Sequence, residues 1–184
     1  MLRAGGLVAF PTETFYGLGA VAMAAVAARR VVAVKGRPDG KPLLVLVDSP
    51  AMVGVVAREI SPRARELMAR HWPGPLTLVL PARPEVPDEV TGGSGTVGVR
   101  LSPHPVACGL VRALGAPITA PSANLSGRPA PTTAAAVFAD FRDRIELVLD
   151  GGATAGGEPS TVLDVTVDPP RVIRAGALGR PACG

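Results

Sequence analysis

KGRPDGKPLLVLV, residues 35–47, is the stretch from which the rest of the chain is read. Lys35, Arg37 and Lys41 fall within seven residues, spaced by Gly36, Pro38 and Gly40, and run straight into an apolar, β-like segment at 43–47. A Pro/Gly loop buries its backbone only at a cost in unpaired polar groups, so it stays near the surface while the strand behind it anchors it to a core. Cations held in this way suit a polyphosphate or a carboxylate better than those on a solvated helix face. The plainer alternative is a charged turn between a helix and a strand.

Outward from this loop the elements alternate. Residues 20–35 are Ala/Val-rich without proline and predict a helix whose last turns carry Arg29, Arg30 and Lys35, cations that complement a helix C-terminus, with Gly36 as its stop. Before it, residues 7–10 predict a buried strand opening into the loop PTETFYG at 11–17. After it, Ser49-Pro50 and Ser61-Pro62 each place an N-cap serine before an N1 proline. The second helix should run to the break at Trp72-Pro73-Gly74-Pro75, with Trp72 a structural corner. Residues 76–80 and 96–101 predict strands, and the long connection 81–95 between them is either a substrate lid or an ordinary excursion.

Further on, residues 104–114 predict a helix, 117–120 a strand, 121–131 a polar loop, and Thr132 or Thr133 the cap of a helix reaching 141. Residues 145–149, 161–166 and 171–174 predict three more strands, with a glycine-rich segment at 151–157. There is no internal repeat. Strands and helices mix throughout, which predicts an α/β (α+β) fold: a single domain over 1–184 with one twisted, mixed open sheet flanked by helices.

Composition narrows the function classes. With 184 residues, 47% hydrophobic, the chain can build one sizeable core. A net charge of +4 hints at an anionic ligand or nucleic acid. Aromatic residues at 3% argue against a surface that stacks bases on exposed rings. Cys108 and Cys183 show no metal-ligand spacing, which fits a reducing cytoplasm. No apolar run approaches the ~18 residues of a membrane span, so a soluble, cytoplasmic protein without membrane contact is expected.

Three familiar motifs fail. GRPDGKP at 36–42 is one residue short of a phosphate-cradling P-loop and has proline where the hydroxyl should be. Gly17-Leu18-Gly19 lies too far past its strand for a dinucleotide fingerprint, and GGSGT at 92–96 misses the nucleophile elbow at its last residue. What remains is a set of polar residues at the ends of apolar strands. They are the threonines of PTET, the cations of the basic loop, Arg100, Ser122 and Asn124, Ser160-Thr161, and Arg174. Strand ends of an open sheet face one crevice. Convergent arginines, lysine and hydroxyls without paired acids or a catalytic histidine describe an anion site that works by positioning and charge neutralisation.

The ordered series PTETFYGL (11–18), KGRP (35–38), PL (42–43), WPGPLT (72–77), VGVR (97–100), APSAN (120–124), SG (126–127), STVLD (160–164) and IRAG (173–176) resembles the YrdC family of threonylcarbamoyl-AMP synthases, of the short bacterial type, over nearly the whole chain. The resemblance implies a YrdC-like fold with a large basic concave cavity. It also implies synthesis of threonylcarbamoyl-AMP from L-threonine, bicarbonate and ATP with release of pyrophosphate. Mg2+ would travel with the nucleotide. A downstream transferase complex would place the group on adenosine 37 of tRNA, and weak tRNA or RNA binding is a further implication.

Position by position, the resemblance assigns Thr14, Arg100 and Ser160 to threonine, with Arg100 the partner of its carboxylate. It assigns Lys35, Arg37, Lys41, Thr96, Ser122, Asn124 and Arg174 to ATP, with Lys35 and Arg37 carrying the catalytic charge. Departures are Leu46 where longer members carry a histidine, Phe15 in place of a smaller apolar residue, and Ala130 where serine is common. The chain starts almost on its first strand, which suggests a truncated start, and it ends within ten residues of Arg174, which leaves no appended domain in view. Two rivals are a paralogue making another carbamoyl adenylate and a non-catalytic RNA-binding module, whose affinity would fall steeply with salt.

Overall fold

Residues without polar side chains on either face make strands that must be covered on both sides. Val8, Ala9 and Phe10 are of this kind, and all are buried. In the computed structural model, which describes residues 1–38 and 40–178, they form β1 (Val8–Pro11). Asp39 and Cys183 lie outside the described residues. A tight turn returns the chain as β2 (Tyr16–Gly19), antiparallel to β1 with Pro11 opposite Tyr16. The helix α1 (Ala25–Lys35) is shorter at its start than the composition predicts and ends at Gly36, whose φ of 56° is the left-handed conformation that glycine adopts without strain.

The basic loop leads into β3 (Val45–Leu46). Of the two Ser-Pro starts, the first opens only a 3-10 helix, Ala51–Val55. The second opens α2 (Pro62–His71), where the Ser61 hydroxyl accepts from the Ala64 N–H. Trp72 turns the chain as a corner, its indole N–H donating to the Leu76 carbonyl at 2.7 Å. There follow β4 (Leu76–Pro81), α3 (Asp88–Thr91) and β5 (Thr96–Arg100). The 81–95 connection therefore holds a helical turn. Val86 and Val90 are buried, the Leu43 N–H donates to the Val90 carbonyl, and Arg29 pairs with Glu89 at 2.8 Å, so this segment buttresses the flank of the basic loop.

The remaining elements are α4 (Pro105–Leu114), β6 (Ile118–Thr119), α5 (Ala134–Phe141), β7 (Leu147–Val148), β8 (Thr161–Asp164) and β9 (Arg171–Arg174). Thr133, the second of the two candidate caps, accepts from Ala136 N–H. Instead of one sheet there are two mixed sheets, β2-β1-β7 and β6-β3-β5-β4-β8-β9. They divide between β2 and β6. There the Thr119 hydroxyl stands in for ladder partners, accepting from Ala20 N–H and donating to the Leu18 carbonyl, while Gly17–Ser122 and Val21–Ile118 remain as isolated bridges. A side chain thus interrupts the backbone ladder at the place where the two sheets meet.

Candidate active site

Strand side chains alternate between the two faces of a sheet. In the central strands β5, β4 and β8 this alternation separates a core face from a working face. Leu76, Leu78, Leu80, Val97, Val99 and Leu163 are fully buried. Thr77 and Val79, Thr96, Gly98 and Arg100, and Val162 and Asp164 point the other way, into a cavity of about 820 Å3. Its other walls are the PTET turn, the end of the basic loop, residues 120–122, Pro159-Ser160 and β9. At Gly98 a Cβ would come within 3.3 Å of Thr77 Cγ2, so the missing side chain keeps the floor open.

The turn at 11–16 is shaped by its own residues. Thr12 Oγ1 accepts from the N–H groups of Thr14 and Phe15 and donates to the Phe15 carbonyl at 2.6 Å. Thr14 and Phe15 then line the cavity. Opposite them Arg174 donates to the Ser160 carbonyl at 2.8 Å and to its hydroxyl, and that hydroxyl lies 2.9 Å from Thr77 Oγ1. The segment after β9 folds back over Ser160, with Ala177 N–H on the Pro159 carbonyl. A Cβ at Gly176 would collide with the backbone of Pro159 and Ser160, which explains the glycine in IRAG.

Of the ten residues singled out from the sequence, Thr14, Arg37, Thr96, Arg100, Ser122, Ser160 and Arg174 line this one cavity. Lys35, Lys41 and Asn124 are not among its lining residues. Lys35 is only 2% exposed, and its Nζ donates to the carbonyls of Ser122 (2.5 Å) and Asn124 (2.6 Å). Burial, with Arg37 nearby, pulls its pKa down to about 8. Asn124 turns its amide N–H groups onto the Leu125 and Arg128 carbonyls. Lys41 is exposed beside a smaller cavity that also involves Asp88 and Glu89. Arg37 binds its own loop, through the carbonyls of Lys41 and Pro42.

The lining carries Arg37, Arg100, Arg171 and Arg174 against one carboxylate, Asp164. Asp164 is already engaged by the Thr166 hydroxyl at 2.6 Å, the Thr166 amide and Arg171 at 3.1 Å. The surplus is positive, and burial works against the charge of Arg37, Arg100 and Arg174, so an anion entering here relieves the cost of desolvating them. Arg100 is the extreme case. It is 4% exposed, its Nη1 lies 3.1 Å from Glu13 Oε1, and neither its Nε nor that carboxylate oxygen has a hydrogen-bond partner.

Several contributors escape a reading by sequence. Thr77 sits between two leucines in an apolar strand, and its polarity at an otherwise apolar position was the available signal. Glu13 acts from within the PTET turn, where only the threonines stood out. Arg171 and Tyr16 have no local signature, although the Tyr16 hydroxyl holds the glycine-rich segment through the Gly152 carbonyl at 2.7 Å. For a divalent cation the donor set is poor. Among the described residues no group of three or more His, Cys, Asp or Glu could hold one, and Asp164 is spent on Arg171 and Thr166.

The chain resembles proteins of known name. It is 49% identical over 177 residues to the threonylcarbamoyl-AMP synthase of Pyrococcus abyssi, a match covering 96% of this chain and 52% of that protein. The structure of P. abyssi Sua5 complexed with L-threonine superposes with a TM-score of 0.92, covering 95% of this chain and 52% of the other. The threonylcarbamoyl-AMP synthase of Thiobacillus denitrificans is 40% identical, covering 95% of this chain and 91% of that protein. The chain thus spans about half the length of the first of these relatives and most of the last. The Sua5/YciO/YrdC profile, described as telomere recombination, matches residues 1–176, and with the cavity and ordered motifs above it establishes that the chain belongs to the Sua5/YciO/YrdC family.

Proposed function

We propose that the chain makes L-threonylcarbamoyladenylate from L-threonine, bicarbonate and ATP, releasing pyrophosphate. The observation that carries this reading is Arg100: a buried guanidinium with an unpartnered Nε at the wall of an arginine-lined cavity, suited to an amino-acid carboxylate. Thr14 and Ser160 stand at the same cavity, the Ser160 hydroxyl held by Thr77 and Arg174 and the Thr14 hydroxyl 3.3 Å from Thr12 Oγ1, and would meet the rest of the amino acid there. A relative solved with L-threonine bound supports the substrate.

The chemistry follows from the residue types. Threonine's amine and bicarbonate give a carbamate, with loss of water. A carbamate oxygen attacks the α-phosphorus of ATP, the bond to the β-phosphate bridging oxygen breaks, and pyrophosphate leaves with the electron pair. Charge accumulates on the departing group, and Arg37 and Arg174 are placed at the cavity to neutralise it. The carbamate is anionic from the start, so no strong base is required. Ser122 would donate its hydroxyl to a phosphate oxygen. Lys35 acts from behind the wall, holding the 122–124 backbone through two carbonyls. Magnesium would be carried by the phosphates, and no step is assigned to it, since among the described residues no group of three or more His, Cys, Asp or Glu could hold it.

One YrdC-like domain, residues 1–184, is the unit to which this activity is assigned. Its setting would be the cytoplasm, where a transferase complex would pass the threonylcarbamoyl group to tRNA. Among the described residues no helix is long and apolar enough to cross a membrane. The test is pyrophosphate release by the purified protein with ATP and bicarbonate, with and without L-threonine. Release that needs both threonine and bicarbonate, and that drops about a hundredfold in Arg37→Ala, is expected. Release indifferent to threonine would end this reading.

A further inference from the structure

We propose that Glu13 is a positioning residue for Arg100, a carboxylate that pairs with the guanidinium at its Nη1 end and so fixes the place from which its charge meets the carboxylate of the amino-acid substrate. The inference rests on the reading of the site given above and extends it to a residue that does not itself line the cavity.

Glu13 lies in the PTET turn between β1 and β2, whereas Arg100 ends β5 in the other sheet. Their side chains meet at 3.1 Å, with 16% and 5% exposure respectively. The second carboxylate oxygen, Oε2, accepts the Ser102 hydroxyl proton at 2.5 Å, and Ser102 Oγ in turn accepts from the His104 N–H at the start of α4. Glu13 is therefore held from two sides, by the turn that contains it and by the segment leading into α4. The contact is an ion pair without a hydrogen bond, since Glu13 Oε1 and Arg100 Nε are both buried atoms with no hydrogen-bond partner, so the carboxylate fixed by Ser102 sets where the charge of Arg100 sits and leaves its bonding capacity unfilled. The charge matters as well as the position, because Arg100 is desolvated and Glu13 is the carboxylate that compensates it. The neighbours serve different ends. Thr12 shapes the turn and Thr14 faces the cavity, so three successive residues of PTET divide the structural, supporting and binding tasks.

The experiment is a steady-state comparison of Glu13→Ala and Glu13→Gln with the unaltered protein, varying L-threonine at saturating ATP and then ATP at saturating L-threonine, alongside thermal unfolding. Glu13→Ala should raise the threonine KM at least tenfold and leave the ATP KM within threefold. Glu13→Gln keeps the acceptor and the hydrogen bond to Ser102 without the charge, and should fall between the two. Unchanged threonine KM in both variants would overturn the assignment while leaving the proposed function standing. Equal loss for threonine and ATP would also overturn it, since that is the mark of a merely structural residue. If Glu13→Ala does not fold, the same split in Glu13→Gln decides. Absence of threonine dependence in the unaltered protein would remove the proposed function and this role with it, and that result is visible before any variant is made.

Discussion

The basic loop and the Arg100 wall both present cations to the same cavity, but they are built in opposite ways. Arg37 is half-buried and is held by carbonyls four and five residues along its own loop. Arg100 is almost wholly buried and meets Glu13 from the opposite sheet, 87 residues earlier, while Glu13 reaches Ser102, 89 residues later. A loop that ties its own cation can adjust to a flexible polyphosphate. A wall assembled from distant segments gives one geometry, which suits discrimination of a small rigid ligand such as an amino acid.

The largest test of this contrast is Arg100→Ala. It removes the guanidinium that would meet the substrate carboxylate, and truncating one partner of a buried charge pair between protein and ligand costs about 4 kcal/mol, or about a thousandfold. We expect that loss in kcat/KM for threonine, with ATP binding by titration calorimetry little changed. Equal weakening of ATP would show the two regions to be one.

Lys35→Met gives an intermediate effect and sharpens the comparison, because Lys35 supports the 122–124 backbone without lining the cavity. The ATP KM should rise about tenfold as two buried carbonyls lose their donor. The same residue leaves a trace in stability. Its folded pKa is about 8 against an ordinary 10.5, so between those values the unfolded chain binds more protons and Lys35 makes the unaltered protein gain stability as pH rises. Below about pH 8 both states are charged and the contribution is flat. Urea unfolding at pH 7.5 and pH 10 should show this gain in the unaltered protein and not in Lys35→Met. The neutral amine keeps two N–H groups for its two carbonyls, so the clip survives deprotonation.

The smallest effect belongs to Ser61→Ala at the cap of α2, remote from both regions. It should cost about 1 kcal/mol in denaturant unfolding and leave kcat and both KM values unchanged. A change in activity there would mean that α2 reports on the site.

The order of elements was legible because each rests on neighbours in sequence. Ser61 before Pro62, Gly36 after Lys35, Thr133 before the alanines of α5 and the apolar run at 7–10 act within a turn or a strand. The same local reading overextends where tertiary packing rules. The 20–35 helix begins only at Ala25, the Ser49-Pro50 start yields a 3-10 turn, and the expected single sheet is divided where Thr119 displaces backbone partners.

Sequence by itself determined the alternation of strands and helices, the anion-seeking character of the loops and the identity of the cations, since charge and backbone preference belong to residues. Tertiary structure decided which of them share a cavity. It turned Lys35 onto the Ser122 and Asn124 carbonyls, placed Thr77 against Ser160, and joined Glu13 to Arg100 across two sheets. Those pairings depend on strand register and on which face a side chain occupies, and both are set by partners far away in the chain.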